Sequence, residues 1–335
     1  MLSRVACNLY WFARYLERAE NTARLINVHS NLLLDLPRKV DFGWETVVLI
    51  LGVHEEFYSR YKNPDERNVV KFLMVDHDNP SSILNSLAAA RENLRTTRDV
   101  VPREAWEAIN NLYLTLQAQI RAGISRRQRS ETLKSVVRAI QHITGLIYGT
   151  MSHTMGYHFI RMGRYLERGD MTTRILDVRS ANLAVKQDAG GELVHNPYEN
   201  ILWMSVLRSL TAYQMYRQHM RLRVQGPDVL RFLLLDPDFP RSFRYCLSRI
   251  ADCLRRMPRN RPLVAQVQRV DKEVVAADLS GLAVNGLHEF MDLLQIRLAE
   301  VHAAIDANYF SWSPSLEESL EEPLEESGQA QRQLA

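Results

Sequence analysis

Residues Arg14 to Leu33 read RYLERAENTARLINVHSNLL, and residues Arg164 to Leu183 read RYLERGDMTTRILDVRSANL. Ten of the twenty positions are identical at a shift of 150 residues. They are Arg14/Arg164, Tyr15/Tyr165, Leu16/Leu166, Glu17/Glu167, Arg18/Arg168, Thr22/Thr172, Arg24/Arg174, Val28/Val178, Ser30/Ser180 and Leu33/Leu183, with Glu20/Asp170 a near match. Placed on a helix at 3.6 residues per turn, Val5, Leu9, Phe12, Tyr15, Leu16, Ala19, Ala23 and Ile26 share one apolar arc that must face a core. Arg14, Glu17, Arg18, Glu20, Asn21 and Arg24 occupy the rest of the circle. Charged residues on a solvated arc drift apart between copies. Here four of the ten identities are charged and lie on that arc.

A second block agrees at a shift of 160. VVKFLMVDHDNPSSILNSLAAARENLR, from Val69, lies over VLRFLLLDPDFPRSFRYCLSRIADCLR, from Val229, and Trp44 falls over Trp203 at 159. Two blocks in the same order predict a duplicated unit, with the extra residues inserted in Gln187–Pro197. Apolar residues recur with helical spacing almost everywhere, and strand and hairpin signals are almost absent. The expected fold class is all-α: two similar helical halves from an internal duplication, residues 1–150 and 151–312, packed into one bundle-like protein. The spacing predicts helices near 3–35, 43–61, 66–75, 80–99, 103–122, 130–150, 152–186, 197–223, 227–235, 240–256, 261–274 and 280–310. Asp78-Asn79-Pro80 and Asp238-Phe239-Pro240 read as helix starts, an Asp or Asn capping and a proline at the first position.

The 335 residues are 46% hydrophobic and 24% charged, enough to bury a core and too few in Gly (14) and Pro (12) for collagen-like or wholly disordered chains. No apolar stretch reaches the length of a membrane span, and Arg4, Arg14 and Glu17 interrupt any signal-peptide core. Cys7, Cys246 and Cys253 make no disulfide framework and no CxxC pair, so a cytoplasmic protein with no membrane association is expected. The net charge of +3 is split: six glutamates against Arg332 give the segment from Ser313 to Ala335 a charge of −5, leaving +8 on the body. Its SLEE-SLEE-PLEE tetrads predict a disordered acidic tail, residues 313–335.

The charged arc admits three readings. In the first it is solvated, with i,i+3 Arg14–Glu17 and i,i+4 Glu20–Arg24 pairs. In the second it forms a buried ion lattice in which the two helices face each other near a pseudo-two-fold axis, a role that suits the planar fork of arginine. In the third the same groups, Arg14, Glu17, Arg18, Glu20, Arg24, Arg164, Glu167, Arg168, Asp170 and Arg174, hold a ligand. Four carboxylates on two facing helices suggest a di-metal bundle, but no histidine follows at the Glu-x-x-His spacing and six arginines already neutralise them, so neither metal nor cofactor is expected. An anionic small ligand such as a carboxylate or phosphate fits better. General acid–base work by Glu17 or Glu167 needs a raised pKa, and arginine neighbours push the other way.

Asp76, His77 and Asp78 are poor metal ligands, since Pro237 stands opposite His77 in the repeat. His54-Glu55-Glu56 lacks the second histidine of a zincin, and there is no P-loop, GxGxxG or GxSxG. Arg121–Arg129 and the group Arg255, Arg256, Arg259, Arg261 are basic runs that could touch phosphates, although solvated basic loops are commoner and nucleic acid is not the expected partner. Trp44 and Trp203 read as core anchors. Tyr10, Trp11 and Trp312 could line a groove, but a core or interface role is more natural.

The opening LSRVACNLYWFARYLERAENTARLINV, with its Tyr10-Trp11 pair, its Arg14…Glu17-Arg18…Glu20…Arg24 series and the repeated FLxxDxDxP block, resembles the signature of the alpha-E domain family, a bacterial all-helical family of unknown function. Cys7 departs from the glutamate or other polar residue expected there. The resemblance implies association with circularly permuted ATP-grasp proteins and transglutaminase-like cysteine peptidase homologues. It implies an accessory subunit of a peptide-forming or peptide-modifying system, and it carries over no catalytic residue. The alternative is a substrate-binding or catalytic component in which the Arg/Glu series grips a carboxylated, peptide-like ligand.

Overall fold

The computed structural model describes residues 1–37, 43–181, 186–187, 193–194, 198–220, 223–283 and 285–311. The acidic segment 313–335, Trp312 and most of Gln187–Pro197 lie outside the described residues. In chain order the helices are α1 Ser3–Asp35, α2 Glu45–Ile50, α3 His54–Tyr58, α4 Glu66–Met74, α5 Ile83–Arg95, α6 Arg103–Ala122 and α7 Arg126–Thr150. They continue as α8 Met155–Ala181, α9 Glu199–Ser209, α10 Tyr213–His219, α11 Gly226–Leu235, α12 Phe243–Arg255, α13 Arg261–Ala276, α14 Leu279–Leu282 and α15 Leu287–Tyr309. A 3-10 turn at Arg98–Val100 and a two-strand antiparallel ribbon, Lys186–Gln187 against Leu193–Val194, complete the described elements.

Four helices close a ring in each half: α1, α5, α6 and α7 in the first, and α8, α12, α13 and α15 in the second. The rings join where α1 lies against α8, and one hydrophobic cluster runs through both, from Ala6 to Tyr309. Trp44 and Trp203 are buried in it. α1 and α8 run in the same direction, since Leu9 meets Gly156, Tyr10 meets Gly163 and Glu17 meets Arg168. Gly163 sets the approach: a Cβ there would press on the Tyr10 carbonyl oxygen and carbon. Only a residue without a side chain lets the two backbones come this close.

Three expected helices are each split in two. The 43–61 stretch breaks at Gly52 (φ +64°), the 197–223 stretch at Thr211 (φ +54°), and the 280–310 stretch at Gly286 (φ +84°). A left-handed residue cannot continue a right-handed helix, and helical periodicity on either side does not reveal it. Gly52 and Thr211 sit at the same register of the two halves, 159 residues apart. The expected caps are also corrected. Ser82 and Ser242 accept from Asn85 N (3.3 Å) and Tyr245 N (3.1 Å) and begin α5 and α12. The aspartates act one turn earlier: Asp76 accepts from Asp78 N (3.1 Å), and Asp236 from Asp238 N (2.9 Å) and Phe239 N (2.7 Å). Both are Asx turns, so Pro80 and Pro240 precede the helices rather than opening them.

Candidate functional site

The charged arcs of α1 and α8 face each other. Glu17 and Glu167 are both 3% exposed. Glu17 takes a two-pronged grip from Arg168, Nε to Oε1 at 2.8 Å and Nη2 to Oε2 at 2.9 Å. Glu167 takes the equivalent grip from Arg18, Nε to Oε1 at 2.6 Å and Nη2 to Oε2 at 3.2 Å. The matched arginines stack alike, Arg18 over Tyr15 (5.5 Å) and Arg168 over Tyr165 (5.6 Å). Consecutive Glu-Arg on each helix places a carboxylate and a guanidinium about 100° apart, so each helix offers both halves of the exchange.

Each glutamate also holds a second arginine, and here the halves differ. Arg14 gives Nε to Glu167 Oε2 at 2.8 Å and lies over Trp11 at 4.7 Å. This replaces the Arg14–Glu17 pair expected within one helix. Its counterpart Arg164 makes no hydrogen bond or ion pair among the described residues; it lines a narrow crevice with Phe12, Leu16, Glu17 and Ile140. Glu17 is served instead by Arg241, from the turn ahead of α12, Nη1 to Oε1 at 3.0 Å. Arg241 is 8% exposed and also bonds Asn21 Oδ1 (2.9 Å) and Glu20 Oε1 (2.8 Å).

A second tier lies further along both helices. Arg24 pairs with Glu20, as the i,i+4 spacing predicts, and donates to the Thr211 hydroxyl. Arg174 pairs with Asp170 at 2.8 Å, and its guanidinium lies over Gly52, where a Cβ would come within 2.6 Å. Each of these arginines therefore reaches the left-handed corner of the other half. Gln141 adds a long contact to Glu20 at 3.5 Å.

These contacts set the protonation states. Burial raises the Glu17 and Glu167 pKa values, but the arginines outweigh it. Glu17 is driven far below the carboxylate range by Arg168 and Arg241, and Glu167 is lowered to about 2 by Arg18 and Arg14. Burial works against the charge of Arg14, Arg18 and Arg168 too, yet the glutamates raise all three. Arg24 goes the other way, lowered to about 10 by burial and by Arg241 beside it. Arg164 is likewise lowered, by burial and then by Arg168. Carboxylates held this firmly ionised neither give nor take a proton near neutral pH.

Sequence reading alone passes over Arg241, Thr211 and Gln141, and it places Asn21 on the charged arc without making it a candidate. Arg241 stands where the first half has Ser81, so the repeat gives no reason to select it. The signal available is an arginine between Pro240 and Ser242, two positions that the repeat retains. Among the described residues one group of potential metal ligands comes together, Asp177, His288 and Asp292, with their ligand atoms within 4.8 Å of one another. Asp177 raises the His288 pKa through a 2.6 Å contact. Asp76 is held by Tyr61 (2.7 Å) and by its own turn, while His77 is exposed.

Against known proteins, a family model described as a predicted alpha-helical domain with a conserved ER motif matches residues 1–310. An uncharacterized protein of Mycobacterium bovis and two of Mycobacterium tuberculosis are 22% identical over 273 residues. The match covers 76% of this chain and 30% of each of theirs. No solved structure matches. Glu17-Arg18 and Glu167-Arg168 are two Glu-Arg pairs, joined in one reciprocal clasp, and with the match over residues 1–310 they make this chain a member of the Alpha-E family.

Proposed function

We propose that this chain is a non-catalytic interaction module, an accessory subunit of a cytoplasmic ATP-grasp-linked system for peptide synthesis or modification. One observation carries this reading. The residues with the most chemical potential, Glu17 and Glu167, spend their carboxylates on four arginines inside the protein. The clasp locks two four-helix rings at a set angle, which is the work of a scaffold. The two rings descend from one duplicated helical unit, and the clasp is what the copies retained to hold each other. In the mycobacterial relatives the matched region is 30% of the chain, which accords with a module that works alongside further polypeptide. The partner is a circularly permuted ATP-grasp protein, with a transglutaminase-like protein as a further member. Co-purification with the neighbouring ATP-grasp protein, and ATP turnover by each alone and together, tests it. Stable co-elution and altered turnover support the proposal; no association at micromolar concentrations removes it.

A second reading, an anion-binding role for a carboxylated peptide-like ligand, has its own support. Seven guanidiniums (Arg14, Arg18, Arg24, Arg164, Arg168, Arg174, Arg241) face four carboxylates (Glu17, Glu20, Glu167, Asp170). Arg24 Nε and Asn21 Nδ2 are buried donors without an acceptor among the described residues. Saturable binding of a dicarboxylate that Asn21→Ala or Arg164→Met abolishes would favour this reading. Nucleic acid is disfavoured by mixed sign: Arg126 and Arg129 pair with Glu66, and Arg255 with Asp252.

A further inference from the structure

The basic run Arg121–Arg129 has no part in the clasp, yet it borders a cavity of about 490 Å³ between α4, the end of α6 and the start of α7. That volume lies within the range of small-molecule sites. The floor is apolar: Val70 and Met74 are buried on the inner face of α4, and Ile120 and Ile124 close the opposite side. The rim is cationic. Arg67, Lys71, Arg126 and Arg129 line it against one carboxylate, Glu66, which is shared by Arg126 (3.0 Å) and Arg129. Three positive charges are therefore uncompensated beside an apolar hollow. They lie next to the first turn of α7, which holds arginines and no acid, an arrangement that the helix dipole disfavours. Arg129 is held in place: its side chain is 13% exposed, and it lies 5.9 Å from the Trp44 ring centre.

We infer that this cavity binds a small amphipathic anion, an apolar body carrying one carboxylate or phosphate. The apolar part would displace water from Val70, Met74, Ile120 and Ile124. The anion would meet Arg126, Arg129 and Lys71, whose charges are stronger beside a low-dielectric wall than in open water. Glu66 holds the two arginines side by side at the rim.

The test uses the full chain and four probes, decanoate, decyl phosphate, decanol and inorganic phosphate, titrated by calorimetry and by tryptophan fluorescence below the micelle threshold. One-to-one saturable binding of decanoate or decyl phosphate is expected, and the tighter of the two names the headgroup. Decanol and inorganic phosphate should each bind at least about tenfold more weakly. Lys71→Glu and Arg126→Glu alter exposed side chains, so the fold and melting temperature should hold while affinity falls about tenfold. The inference is overturned if decanol binds as well as the anions, if neither charge reversal weakens binding, or if no probe saturates. It is also overturned if a peptide of residues 315–326, which alternates leucine with paired glutamates, binds there more tightly than the amphiphiles.

Discussion

Replacing Glu17 by glutamine tests the clasp with almost no change of shape. The carboxylate receives two bonds from Arg168, at 2.8 and 2.9 Å, and one from Arg241 at 3.0 Å, and the residue is 3% exposed. Glutamine keeps one acceptor and turns an amide NH2 toward a guanidinium. Arg168 is then left with a 3.4 Å contact to the Pro240 carbonyl as its other hydrogen bond. Arg241 keeps Asn21 and Glu20. Breaking one side of a buried ion pair costs about 3–5 kcal/mol, and the surviving bonds of Arg241 place this case near the lower end, about 3 kcal/mol. Urea unfolding at neutral pH should show a midpoint lower by about 1 M at an unchanged slope. The double variant Glu17→Gln/Arg168→Met should lose less than the sum of the single variants by about 1–3 kcal/mol, because the second change removes the orphaned charge. A loss below about 0.5 kcal/mol for Glu17→Gln would put this arc in the energetic class of a solvated surface and refute the clasp.

Other perturbations bear on the same architecture. Gly163→Ala should cost about 3 kcal/mol or prevent folding, since its Cβ would press on the Tyr10 carbonyl group, whereas Gly145→Ala, with nothing within 4 Å, should add about 1 kcal/mol in the same denaturation assay. Gly52→Ala should cost about 2 kcal/mol, from the left-handed backbone and the displaced Arg174 guanidinium. For pH, Glu167 falls from an ordinary 4.5 to about 2 on folding, worth roughly 3 kcal/mol at neutral pH. That stability is complete above pH 4.5 and is lost as pH falls toward 2, because the unfolded chain takes the proton that the folded chain refuses; Glu167→Gln should flatten urea midpoints across this window. Cys246 and Cys253 are raised to about 12 and 11, chiefly by burial, so Ellman's reagent on the native protein should reach no cysteine beyond the half-buried Cys7.

The clasp explains why arginine recurs at these positions. A single guanidinium on a buried carboxylate leaves the desolvation of both groups poorly offset. Two on each glutamate, with Tyr15, Tyr165 and Trp11 covering their faces, supply several charge-assisted bonds per carboxylate and exclude water from them. Burial first, and then the same surplus of arginine, lowers Arg24 and Arg164.

Helical periodicity alone determined that the chain is all-α, and it located α1 and α6 to the residue, because a 3.6-residue apolar stripe is a local property. The repeat of Arg14, Glu17, Arg18 and Arg24 at Arg164, Glu167, Arg168 and Arg174 likewise singled out the charged series. Of that series, Arg24 and Arg174 pair along their own helices, whereas Arg14 and Arg18 meet Glu167, and Glu17 meets Arg168, between the helices. Their partners were decided only in three dimensions. Arg14 reaches across to Glu167 rather than along its own helix to Glu17, and Arg241 enters from a turn 224 residues away. Those choices depend on how closely two backbones approach at Gly163 and on where left-handed corners at Gly52 and Thr211 turn the chain. Such long-range geometry arises from packing, and it leaves no periodic trace in the order of the residues.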